Sequence, residues 1–189
     1  MDSIISYASS RENKPRFDQL KKSDAKFSVE YRKTSLKMKK GSLLRRDLGT
    51  ELFALYALAR VAMVRPKFSE ETPRIILIDS IKHPREIEVL REAYGNGLFV
   101  LGVNNSRRNR VRSLEKRGMS ESEATELMCR DESEKGEKTG QQMTKAFEKA
   151  DLFTDEDSIS NEVERFLKLI LGKTILSPRR HELSMQMAM

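Results

Sequence analysis

One aspartate stands where it could hold a metal ion beside phosphates. Asp79 closes an apolar run of three isoleucines and one leucine at residues 75–78. Such a run is typical of a strand buried in a parallel sheet, and a carboxylate at the carboxyl edge of that sheet can hold a hydrated Mg²⁺ next to a nucleotide. This is the layout of a Walker B strand. Because any parallel strand can end in an acid, Asp79 alone does not distinguish a nucleotide site from an ordinary strand end.

A group of arginines follows the next predicted strand. Residues 105–112 have the sequence NSRRNRVR. Arg107, Arg108 and Arg112 could close over transferring phosphates, as arginines on this helix do in small nucleotide kinases. The alternative is an exposed basic helix, neutralised by glutamates of the next helix such as Glu121 and Glu123. The sequence leaves both interpretations open.

Other kinds of catalytic site are disfavoured by residues that the sequence lacks. No GxxxxGK[ST] phosphate-binding loop is present, and the first glycine is Gly41. One cysteine, Cys129, and two distant histidines, His83 and His181, do not suggest a Cys-cluster zinc site or nucleophilic catalysis. We therefore expect no cofactor in this chain.

The positive charge of the chain is concentrated in its first third. Lys and Arg number 36 against 29 Asp and Glu, and residues 1–73, with 16 basic and 9 acidic side chains, account for the whole net charge of +7. Such a segment can bind nucleic acid weakly and without sequence preference, through the phosphates. A solvated helix face or a loose arm explains the same composition, and we favour that interpretation.

The location of the protein is predicted from what its sequence does not contain. No apolar run approaches the roughly 18 residues that a membrane span needs. The first residues, MDSIISYASSRENK, lack the layout of a signal peptide. We therefore expect a cytoplasmic protein with no membrane partner.

The order of predicted elements is that of an α/β protein. Apolar residues at helical spacing predict a weak helix near residues 15–22, followed by a loop, and a substantially buried helix over residues 47–64. Apolar runs predict buried strands at residues 75–79 and 98–103 and a short strand at 150–153. Further helices are predicted at residues 84–94, 106–117, from 120 onward, 139–149, 158–171 and 177–189. Strands separated by helices favour a parallel sheet with flanking helices.

Several motifs resemble those of one known family. They are IDSIKHPREIE at residues 78–88, YG at 94–95, FVLGV at 99–103, RDE at 130–132, GQQ at 140–142, AF at 146–147 and ADLF at 150–153. Together they resemble the kinase-like domain of two-domain deoxycytidylate deaminases, a family that includes bacterial antiphage dCTP deaminases. The resemblance begins near residue 49, and residues 169–189 are similar to the junction and first helix of the deaminase domain. It implies an incomplete P-loop-kinase-like parallel sheet with flanking helices, and it adds Gln141 to Asp79 and the three arginines as nucleotide-binding residues.

The chain departs from this family in two ways. The HAE and PCxxC motifs, which in the deaminases hold zinc and shuttle protons, do not occur, and neither does the N-terminal glycine-rich loop. We therefore expect zinc in the intact family but not in this chain, and no deamination by this chain alone. Three parts are predicted: a basic segment (residues 1–46), a kinase-like domain without its phosphate loop (47–172) and the start of a deaminase-domain helix (173–189).

Two functional hypotheses follow. The first is the kinase-like, regulatory portion of a deoxycytidylate deaminase-type antiphage protein, truncated before the zinc motifs and able to bind a deoxynucleotide. The alternative is a stand-alone basic module that binds nucleic acid or a deaminase partner. A working nucleotide kinase is disfavoured because its main phosphate binder is missing. Loss of the first strand would also leave an open sheet edge, which predicts self-association or docking onto an intact relative.

Overall fold

The computed structural model describes residues 15–16, 18–19, 26–65, 74–132, 142–172 and 174–179. These parts form a mixed α/β structure that is mostly helical, with one two-stranded parallel sheet. The helices are α1 (Val29–Leu48), α2 (Leu52–Val64), α3 (Pro84–Tyr94), α4 (Arg107–Lys116), α5 (Glu121–Glu132), α6 (Met143–Phe147) and α7 (Ile159–Ile170). The strands are β1 (Leu101–Asn104) and β2 (Leu152–Asp155).

The sheet is small, and one glycine allows a helix to approach it closely. β1 and β2 pair in parallel, with Leu101 opposite Leu152 and Asn104 opposite Asp155. A Cβ atom at Gly102 would lie 2.9 Å from the ring of Phe147, at the end of α6. The missing side chain of Gly102 therefore sets the distance between the sheet and α6.

The predicted strand at residues 75–79 is wrong. Residues 74–80 form no regular secondary structure, and Ile75, Ile76 and Leu77 are 71%, 44% and 87% exposed. Only the end of the run is packed, where Ile78 contacts the apolar cluster of Ala54, Val89 and Leu90. An apolar run becomes a buried strand only if neighbouring strands and helices cover it, and the sequence of the run does not reveal whether they do. Asp79 consequently does not lie at a sheet edge.

A long helix occupies part of the region that was predicted to be a loop. Helix α1 begins at the N-cap Ser28, whose side chain accepts a hydrogen bond from Tyr31 N. Its buried positions include Tyr31, Ser35 and Ser42, which share a face at helical spacing. Because small polar residues occupy much of this face, a search for apolar periodicity overlooks it. Of the predicted helix near residues 15–22, the four described residues are helical.

Helix α2 is shorter and more exposed than predicted. It begins at Leu52, because residues 47 and 48 belong to α1 and Gly49 follows them with a φ of 103°. Within α2 Ala54 is buried, whereas Leu55 and Met63 are exposed. The expectation of a substantially buried helix is therefore wrong.

The remaining elements are mostly confirmed, with shifted ends. Helices α3, α4, α5 and α7 occur where the sequence predicts them. β1 and β2 begin three and two residues later than predicted, and the side chains of Leu101 and Val103 in β1 are exposed rather than buried. Helix α6 covers part of the predicted residues 139–149. Residues 177–179 are not helical, and the rest of the predicted last helix lies outside the described residues.

The described helices were also compared with the dimensions of a bilayer. None of them combines the length and the apolar composition that crossing a membrane requires. The longest, α1, has 20 residues and is rich in lysine and arginine.

Candidate functional site

The segment before α3, residues 78–83, is the centre of the candidate site, and we call it the turn. Ser80 within it adopts a positive φ of 68°, a conformation uncommon for a residue other than glycine. Lys82 is then held at three points. Its N–H donates to Glu86 Oε2 at 2.8 Å, its carbonyl oxygen accepts from Gln142 N at 2.9 Å, and its Nζ donates to Asp131 Oδ1 at 2.7 Å. The turn is thereby fixed to α3, to the start of α6 and to α5.

A buried ion pair between α1 and α3 is hydrogen-bonded to this turn. Arg45 on α1 and Glu86 on α3 are 3% and 1% exposed. Arg45 donates from Nε at 2.9 Å and from Nη2 at 2.8 Å to Glu86 Oε1, while Oε2 accepts from Lys82 N and from His83 N at 3.1 Å. The carboxylate thus accepts four hydrogen bonds, which is what makes a charge tolerable in the interior.

The first cavity, which we call the edge cleft, lies where the two strands end. It has a volume of about 410 Å³ and is lined by parts of α1, α4 and α5. Asn105, directly after β1, and Glu156, directly after β2, also line it. In α/β proteins ligands bind outside the carboxyl ends of parallel strands, because helix N-termini and loops converge there. The edge cleft has this position.

Two cations of the edge cleft, Lys82 and Arg110, are paired but remain accessible. Lys82 contacts Asp131, and Arg110 Nη1 contacts Glu132 Oε1 at 2.9 Å. Asn105 donates to Glu156. Ion pairs that remain partly in water contribute little free energy, so an incoming anion can replace a carboxylate as the partner of a lysine or an arginine. The cleft can therefore bind a phosphate or a carboxylate.

Helices α1 and α5, which both line the edge cleft, are joined by a carboxylate that lies between their N-termini. Glu123 accepts hydrogen bonds from Ser28 N at 2.7 Å and from Ser120 N at 2.8 Å, at the starts of α1 and α5. These two backbone donors lower the pKa of Glu123 below its usual 4.5. Tyr31 Oη adds a hydrogen bond to Glu126 at 2.7 Å. The packing of α1 on α5 thus includes hydrogen bonds to two carboxylates, Glu123 and Glu126.

The second cavity, which we call the helical cavity, lies between α1, α2 and residues 78–82. Its volume is about 600 Å³, and its lining is mainly apolar, with Phe53 and Tyr56 from α2. The Arg45–Glu86 pair is also part of its wall. Lys37, Met38 and Lys82 line both cavities, so the two meet at these residues.

The structure separates the residues that the sequence predicted as a nucleotide site. Asp79 is exposed and lines the helical cavity. Arg107, Arg108 and Arg112 are exposed on α4 and line neither cavity. Gln141 lies outside the described residues, although its neighbour Gln142 bonds to Lys82.

Sequence reasoning missed Arg110, the arginine of α4 that does line the edge cleft. A signal for it was present. Val111 and Leu114 are the apolar residues of this very polar helix, so they mark its inner face, and Arg110 lies one turn before Leu114 on that face. No comparable sequence signal marks Lys37 and Lys82 as lining residues, because nothing in their local sequence distinguishes them from the other lysines.

The described residues do not fit the zinc centre of the deaminase family. No group of three or more His, Cys, Asp or Glu side chains among them could hold a metal ion. Cys129 is exposed on α5. Zinc in deaminases needs His and Cys ligands that converge on one point, so this part of the chain supports no catalytic step through zinc.

Comparisons with known proteins add no constraint on the function. No protein-family model matches the chain, and neither a curated protein nor a solved structure matches it. The two cavities and the residues that line them are therefore the features that bear on the function.

Proposed function

We propose that the chain is a nucleotide-responsive regulatory module, the kinase-like portion of a deoxycytidylate deaminase-type antiphage protein. The observation that carries the proposal is the edge cleft. It opens at the carboxyl ends of two parallel strands and is lined by the cations Lys37, Lys82 and Arg110. This combination of position and charge suits the phosphates of a deoxynucleotide.

A regulatory role is favoured over a catalytic one by the groups that are missing from the sequence. Neither a glycine-rich phosphate loop nor the zinc motifs of a deaminase occur in the 189 residues. A bound nucleotide could still change the protein, because the edge cleft joins α1, α4, α5 and both strand ends. Binding would stabilise this arrangement and present an ordered surface to a deaminase partner.

The test is nucleotide binding by the full chain. We expect dCMP or dCTP to raise the melting temperature, since a ligand at 100 times its Kd adds about 2.7 kcal/mol to the free energy of unfolding. Arg110→Gln should weaken binding about tenfold or more, because a hydrogen bond to a charged group contributes about 1.5–3 kcal/mol. Arg112→Gln is the matched control, since it removes an exposed arginine of the same helix.

The outcomes separate binding in the cleft from general attraction to positive charge. Equal losses for Arg110→Gln and Arg112→Gln in calorimetric titrations would contradict the assignment to the edge cleft. No thermal shift and no heat with any deoxycytidine nucleotide would contradict the proposed function as a whole. Urea melts of both variants establish that each is folded.

A second candidate function rests on the outer face of α4. Arg107, Arg108 and Arg112 are exposed there, and they suit a stand-alone basic module that binds nucleic acid or a deaminase partner. Binding to nucleic acid by such a face should be weak, independent of sequence and steeply reduced by salt. Titration of one DNA at several salt concentrations tests this. Affinity that survives high salt would exclude a purely electrostatic surface.

A further inference from the structure

We propose that the helical cavity binds the base of a nucleoside monophosphate whose phosphate lies at Lys37 and Lys82. The inference rests on the proposed function and adds a ligand class and a second binding compartment to it. Both lysines line both cavities, so a ligand in the helical cavity has its nearest contact with the edge cleft at these side chains.

The size and lining of the helical cavity suit a planar ring. Its volume of about 600 Å³ lies within the roughly 300–1,000 Å³ of small-molecule sites, which are mostly apolar with a few polar groups. Aromatic and aliphatic side chains of α2 and of the turn before α3 supply the apolar wall. Tyr56 is half-buried, so part of its side chain remains accessible to an aromatic ligand. Phe53 is already covered by the Arg45 guanidinium, 4.8 Å from its ring centre, which holds the ring in place.

Space for the ring is created by small residues on both helices. Gly41 on α1, and Ala54 and Ala57 on α2, line the cavity. Gly41 carries no side chain, and the nearest group to a Cβ at that position would be the Arg45 side chain at 3.6 Å. A larger side chain at any of these positions would therefore reduce the volume of the cavity. Substitutions there can test whether a ligand occupies it.

The charge of the lining favours one phosphate over three. The helical cavity is lined by four cations, Lys37, Arg45, Arg60 and Lys82, and by two acids, Asp79 and Glu86. Within the described residues Arg45 is paired with Glu86 and Lys82 with Asp131, whereas Lys37 and Arg60 form no ion pair. Once these pairs are set aside, Lys37 and Arg60 face one acid, Asp79, so the lining keeps an excess of one positive charge. This is closer to the charge of a phosphate monoester, about −1.5 to −2 at pH 7, than to that of a triphosphate. A triphosphate would bring more negative charge than the lining can balance.

The closing experiment fills the cavity and compares ligands. Ala57→Leu places a larger side chain in the cavity, and Ala59→Leu makes the same change at an exposed position of α2 that does not line it. We expect calorimetric titration to give a dCMP affinity about tenfold lower for Ala57→Leu and unchanged for Ala59→Leu, a difference of about 1.4 kcal/mol. The unaltered chain should bind dCMP more tightly than dCTP.

A charge variant keeps the test decisive if Ala57→Leu is unfolded in a urea melt. Lys37→Met should weaken dCMP binding, and Lys33→Met, one turn earlier on α1 and outside both cavities, should not. If the chain binds nucleotides but neither pair differs, or if dCTP binds more tightly than dCMP, the inference fails while the proposed function stands. If the unaltered chain binds no nucleotide, both fail.

Discussion

The buried pair of Arg45 and Glu86 should be the most sensitive point of the structure. Glu86→Gln keeps the shape of the side chain but removes its charge. A glutamine has one acceptor oxygen, whereas Glu86 receives two donors from Arg45 on one oxygen and two backbone donors, Lys82 N and His83 N, on the other. Whichever way the amide is turned, its NH₂ group faces donors.

The expected cost follows from the hydrogen bonds that are lost. Two charge-assisted bonds disappear at about 1.5–3 kcal/mol each. Removing one partner of a buried pair typically costs about 3–5 kcal/mol, because the other charge stays buried without compensation. The free energy of unfolding of a small domain is about 5–15 kcal/mol, so Glu86→Gln should remove a large fraction of it.

The assay is urea unfolding followed by helical circular dichroism. Glu88→Gln is the matched control, two residues further along α3, where the half-buried carboxylate pairs at the surface with Arg85 and Lys149. Surface ion pairs contribute little, so this variant should unfold close to the parent midpoint. Equal midpoint shifts for the two variants, at unchanged urea dependence, would refute the assignment of Arg45–Glu86 as a structural centre.

Four further predictions concern other parts of the molecule. The backbone donors Ser28 N and Ser120 N lower the pKa of Glu123, so its contribution to stability is complete above pH 4.5 and disappears as the pH falls through the lowered value. In urea melts from pH 7 to 3, the free energy of unfolding should therefore decline less for Glu123→Gln than for the unaltered chain. Gly102→Ala should cost about 1–3 kcal/mol in the same assay through overpacking against α6, and an unchanged midpoint would contradict the close approach. The exposed apolar residues 75–77 should cause self-association in light scattering, because exposed apolar patches favour contacts between chains, and Leu77→Lys should reduce it. The purified chain should deaminate neither dCMP nor dCTP and contain no stoichiometric zinc; one tightly bound zinc per chain in metal analysis would overturn this expectation.

The sequence predicted helices well where an amphipathic pattern and a cap coincide. Helix α3 is the clearest example, because Pro84 stands at its first turn and Glu86 receives the backbone donors of the turn before it. Helix prediction from the sequence failed at α1. The buried face of this helix contains Ser35 and Ser42, and apolar periodicity cannot detect a face of small polar residues.

Strand prediction depended on neighbours that the sequence does not identify. The runs at residues 75–78 and 98–103 look equally suited to a buried strand, yet pairing with β2 is observed only in the second. Parallel pairing is a long-range property: partners such as Leu101 and Leu152 are far apart in the chain. A local apolar pattern gives the capacity to form a strand, and the presence of a partner decides whether one forms.

The same distinction explains why the site was only partly found. Sequence reasoning chose arginines by their number and proximity, which selected the outer face of α4, whereas a cavity needs the one arginine on the inner face, Arg110. Lys82 is a different case. Its role depends on three partners in separate parts of the chain, namely Glu86, Asp131 and Gln142. Because its Nζ is bound to Asp131 in the edge cleft, any anion that takes this lysine must compete with the contact that holds α5 to the turn. For the proposed nucleotide, this competition would couple binding to the position of α5 through one side chain, as the proposed regulatory module requires.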